Sequence, residues 1–161
     1  MNMTSTARRE VPVSVDLAAR VTALLGKTYP AVSYGAVDGF RVMTLDQQEP
    51  RRMFVRWYDD RERALTGAPV AEEKSKELAS VLAAAGFAVT VPSDGWDVYV
   101  ADRPADTAGP RYQVVESDLP FGDLWLVMDE WTRVPARTVR SKEAAETEAE
   151  TLNLPDQSST D

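Results

Sequence analysis

Two spacings of apolar residues alternate along this chain. Leu78, Val81, Leu82 and Ala85 recur three and four apart, one stripe of a helix over Glu72 to Ala85 that starts near Pro69 and stops at Gly86. Phe87 to Val91 and Trp96 to Ala101 then alternate at a period of two around Asp94 and Gly95, which predicts a hairpin. Earlier, Leu17, Val21, Leu24 and Leu25 make a second helical stripe, opened by Ser14 as N-cap and closed by Gly26. Ala31 to Val37, the Asp38-Gly39 dipeptide and Phe40 to Leu45 predict another hairpin, and Met53 to Tyr58 a further strand.

The same order of signals therefore occurs twice, and it predicts a tandem helix-hairpin-strand (αβββ) repeat in which Arg111 to Glu116 matches Met53 to Tyr58. Phe121 to Trp131 fits both periods; Gly122 and Pro135 bound it tightly enough to favour a strand. Ala136 to Leu152 has high helix propensity, but its apolar residues are small apart from Val139 and Leu152, which predicts a bare helix. The expected fold is α+β, one mostly antiparallel sheet of six or seven strands with two helices on one face. Its expected divisions are a disordered leader over residues 1–12, a single domain over 13–135, and an acidic tail over 136–161 running from exposed helix to disorder. This element order, with the low pI, is similar to that of the small acidic chaperones of type III secretion, a likeness of topology without a motif, and function does not follow from fold.

Composition removes several classes. The 161 residues include no histidine and no cysteine, so the commonest general base, the thiolate nucleophile and the usual zinc ligands are missing together. No apolar run approaches the roughly 18 residues of a membrane span, and the first ten residues lack a signal-peptide core, so the expected location is cytoplasmic and no membrane or cofactor is expected. Net charge is −8, of which the tail from Ser141 onward carries −5, and such a balance opposes non-specific attraction to nucleic acid. Arginine outnumbers lysine and alanine is abundant, a habit of high-GC bacteria and their phages.

Three constellations remain. Arg51, Arg52, Arg56, Arg61 and Arg63, with Trp57 and Tyr58 among them, could track phosphates and stack bases, but Glu49, Asp59, Asp60 and Glu62 reduce the stretch to +1, so a charged edge strand is the plainer reading. The adjacent carboxylates Asp59 and Asp60, and Asp129 and Glu130, would point to opposite faces of a strand and cannot converge on one ion unaided. Trp57 and Trp131, lying beside charged residues, are the candidate anchors for a partner, while Trp96 and Trp125 read as core or rim. The function expected is that of a small non-catalytic protein-binding or adaptor module, its partner another protein or a second copy. Nucleic-acid association through residues 51–63 is the alternative.

Overall fold

The computed structural model describes residues 13–32, 38–45, 52–58, 68–93, 95–104, 109–118 and 123–154. Helix α1 (Val13–Leu25) turns Leu17, Val21 and Leu25 inward, and the Gly26 amide closes it on the Thr22 carbonyl at 2.9 Å. Helix α2 (Ala68–Ala84) buries Leu78 and Leu82 completely, and Gly86 ends it at φ 99°, a conformation that glycine adopts without steric cost. These side chains share one core with Phe40, Met53, Val55, Val98 and Val100 of a four-stranded sheet. Its strands are β1 (Gly39–Leu45), β2 (Arg52–Tyr58), β3 (Phe87–Thr90) and β4 (Val98–Asp102), ordered β1-β2-β4-β3 and antiparallel throughout.

A second antiparallel sheet holds β5 (Tyr112–Glu116), β6 (Trp125–Asp129) and β7 (Val134–Val139) in that order, and α3 (Lys142–Asn153) packs on it. The seven strands thus divide four and three instead of forming the single sheet expected from the sequence. Periodicity identifies strands but not their partners, and β7 gives β6 a neighbour that the pattern did not reveal.

Two further expectations change. Asp38-Gly39 does not close a hairpin onto residue 31: Ala31 bridges Phe40 in parallel, with the Val32 amide on the Phe40 carbonyl at 2.9 Å and the Phe40 amide on the Pro30 carbonyl at 3.0 Å. Gly39 serves close approach instead, because a Cβ there would sit 2.3 Å from the Pro30 oxygen. Most of the predicted strand, residues 33–37, lies outside the described residues, as do the leader at 1–12 and residues 155–161. In the region read as tail, Val134–Val139 is a strand, and α3 is capped by Ser141 and buries Ala145 and Ala149 against Val127. Small side chains do bury a helix face here, because they let the helix lie close to the sheet.

Candidate functional site

A polar cluster joins the two sheets. Asp129, with no solvent exposure, receives Arg111 in a fork, Nε on Oδ1 at 2.9 Å and Nη2 on Oδ2 at 2.8 Å. The Trp131 amide donates to Oδ1 at 3.0 Å and the Thr90 hydroxyl to Oδ2 at 2.6 Å. Since the single hydroxyl proton of Thr90 goes to Asp129, the Thr132 hydroxyl supplies the proton of the short Thr90–Thr132 bond. Arg111 also donates to the Val89 carbonyl at 2.8 Å, so one guanidinium holds β3 and the end of β6 together. With four donors on its two oxygens, Asp129 is a structural pin. Its neighbour Glu130 turns outward to Arg133, so the adjacent carboxylates do diverge.

Beside this pin, α2, the loop between β3 and β4, and β7 enclose an open cleft of about 570 Å3, lined among others by Ser75, Lys76, Pro92, Ser93, Trp96 and Arg137. Local bonds fix its backbone. The buried Ser75 hydroxyl donates to the Trp96 carbonyl, the Gly95 amide closes a turn on Pro92 at 3.2 Å, and the Ser93 amide reaches the Ala136 carbonyl at 3.1 Å. Ala136 is the extra residue of a β-bulge, since Val127 faces Arg137 while Met128 faces Pro135. Bulges re-aim side chains, and this one sets Arg137 at the cleft. Arg137 meets Glu148 only at 3.8 Å, a half-buried pair, while donating to the Ala136 carbonyl at 2.9 Å, and Lys76 meets Glu72 at 3.5 Å, an exposed one; both ion pairs are long enough for a ligand to displace.

The four tryptophans differ sharply. Trp57 is half-buried on the helix side of β2, edge-on to Tyr29 at 6.0 Å, with the Lys74 ammonium 5.0 Å from its ring centre and its indole N–H buried without a hydrogen-bond partner among the described residues. Trp131 is half-buried between Arg111 at 4.3 Å and Arg103 at 4.9 Å, and Trp125 has Lys142 at 5.8 Å. Trp96 is 50% exposed and has no ring or cation contact among the described residues. Sequence reasoning passed over it because an aromatic opening a strand ordinarily enters the core; its place directly after an Asp-Gly turn was the available signal.

Arg52, Phe54, Arg56 and Tyr58 share the face of β2 opposite Trp57, and Arg41 stands across from Arg56. Asp97 grips Arg56 in a fork at 2.7 and 2.8 Å, and these hydrogen bonds hold the guanidinium charged more firmly than usual, against the opposing effect of its partial burial. The Tyr58 hydroxyl points to the Met43 sulfur at 3.7 Å. Arg51, Arg61 and Arg63, with Asp59 and Asp60, lie outside the described residues. Among the described residues no three carboxylates gather into a metal-sized group, and no helix is long and apolar enough to cross a membrane. No protein-family model, curated protein or solved structure matches the chain.

Proposed function

We propose that this protein is a non-catalytic binding module that receives a segment of a partner protein in the cleft between α2, the β3–β4 loop and β7, with Trp96 as anchor. The observation that carries the reading is the Trp96 indole, half exposed and without a ring or cation contact among the described residues, at the lip of a cleft whose backbone is already pinned. A large aromatic held at its backbone and free at its ring gives up contact area at little ordering cost, which is why Trp and Arg dominate interface hot spots. Arg137 and Lys76 supply displaceable charge beside it.

The nucleic-acid reading retains Arg52, Arg56 and Tyr58 on one face, but Asp97 neutralises Arg56 and Trp57 packs against the core on the opposite side. The experiment is selection of displayed peptides on the full chain, with affinities remeasured on Trp96→Ala and Trp57→Phe. A hot spot of about 2 kcal/mol corresponds to roughly thirtyfold weaker binding, expected for Trp96→Ala alone. Selected peptides that ignore Trp96→Ala would sink the cleft. A single-stranded oligonucleotide that binds at low salt and is lost with Arg52→Ala would move the function to the sheet face.

A further inference from the structure

Sheet edges expose unpaired amides and carbonyls, and proteins ordinarily block them with proline, charge, a bulge or a covering segment. Among the described residues, β3 and β7 are treated in that way, and β1 only at its start, where residues 30–32 bond to Phe40. The edge strand β3 meets the other sheet through the Val89 carbonyl, which takes Arg111, and the Ser93 amide just beyond β3 bonds to Ala136. Strand β7 carries Pro135 and the bulge at Ala136.

Strand β5 differs. It has no proline, no lysine and an unbroken register with β6. The Glu130 amide bonds to the Arg111 carbonyl at 2.8 Å and the Ser117 amide to the Leu124 carbonyl at 3.0 Å, so Arg111, Gln113, Val115 and Ser117 direct their backbones to β6. Tyr112, Val114 and Glu116 therefore direct theirs outward. At Tyr112 the Asn153 carboxamide imitates a neighbouring strand: its Oδ1 accepts the Tyr112 amide and its Nδ2 donates to the Tyr112 carbonyl, both at 2.9 Å. The outward groups of Val114 and Glu116 have no such partner among the described residues.

We propose that this short edge pairs with the same edge of a second copy of the chain, antiparallel, with Val115 on the two-fold axis. The free stretch is bounded by Asn153 at one end and by the inward-turned Ser117 at the other. Its complement in length and polarity is its own image: Val114 exchanges two hydrogen bonds with Glu116 of the second copy, and the two-fold repeats the pair. Because the pairing ends at Glu116 of the second copy, before its residue 118 would reach Tyr112, both Asn153 contacts stay intact. It also sets Val115, exposed to 39% on the side away from α3, against itself. The contact is small beside the about 1,200–2,000 Å2 of a stable interface, so the association is weak and the test must trap it.

The chain has no cysteine, which makes that test clean. Directly opposed residues of a non-hydrogen-bonded antiparallel pair have Cα atoms about 4.5 Å apart, within the span of a disulfide. Full-length Val115→Cys is oxidised at moderate salt, to screen the Glu116 carboxylates and the net charge of −8, beside an exposed control on α1, Ala23→Cys. Disulfide-linked dimer is expected to form at least tenfold faster for Val115→Cys. Adding Glu116→Pro, which deletes an outward amide and no bond within the sheet, should return the rate to the control. Equal rates for the two single variants, or a fast rate that survives the proline, would overturn the proposal. Neither result depends on Trp96, so the cleft reading stands or falls separately.

Discussion

Tyr112 shows how one side chain connects burial, charge and pH. Its ring packs in the small core under α3, and its phenol is pushed to a higher pKa, first by burial and then by the nearby Asp129 carboxylate, with Arg111 and Arg137 opposing. A phenol whose folded pKa is raised binds its proton more tightly in the folded state, so the stabilisation is complete below the unfolded value of about 10 and is lost as pH rises through the folded value. Tyr29 shifts the same way, through burial and then Glu77. Unfolding measured in urea from pH 8 to 11 should therefore show stability falling on the alkaline side. Tyr112→Phe should flatten that fall, and absorbance at 295 nm should show one or two tyrosines ionising late. An unchanged alkaline slope in Tyr112→Phe would remove this account.

Among the elements, α3 tests what small side chains contribute. Ala145 is fully buried and Ala149 nearly so, which places the helix close on β5, β6 and β7. Ala145→Leu should cost about 1–3 kcal/mol by overpacking, read as a lower urea midpoint, whereas the same change at exposed Glu146 should cost little. The helix was legible from Lys142 onward, although its expected start at Ala136 falls within β7; its burial was not, because alanine marks a solvated face and a close-packed one alike. Strand β7 was hidden for two local reasons. The turn before it puts Arg133 at φ 62°, where glycine or asparagine is the usual signal, and Pro135, read as a boundary, lies inside the strand beside a bulge that tolerates it. The stripes of α1 and α2 and the hairpin from Phe87 to Asp102 were legible because each depends on local period and a terminating glycine. The cleft draws residues from three elements distant in sequence, and Arg137 entered it through the hidden strand.

At the scale of the whole molecule, the two sheets have separate apolar cores, Leu17 through Val100 in one and Val127 with Ala145 and Ala149 in the other, and the bonds between them are largely polar. Apolar burial therefore stabilises each layer internally, and among the described residues coupling between the layers falls mainly to the Asp129, Arg111, Thr90 and Thr132 network, with the Ser93–Ala136 bond and the Arg103 guanidinium over the Trp131 ring beside it. Removing Asp129 leaves Arg111, only 24% exposed, without its counter-charge, and breaking a buried pair in this way typically costs about 3–5 kcal/mol. That cost should fall unequally. The core under α1 and α2 contains no member of the network, whereas Asp129 belongs to β6 and Arg111 directly precedes β5. Hydrogen exchange of Asp129→Ala should therefore show protection lost across β5, β6, β7 and α3 while amides in β2, β4 and α2 stay protected, with unfolding followed by exchange no longer a single step. A uniform loss over both sheets would mean that the layers fold as one unit held by more than this cluster. The distinction also bears on the proposed binding cleft: Arg137 comes from one layer and the other five lining residues named above come from the opposite one, so under that proposal a decoupled protein should keep its α2 core and lose affinity for peptides selected on the intact chain.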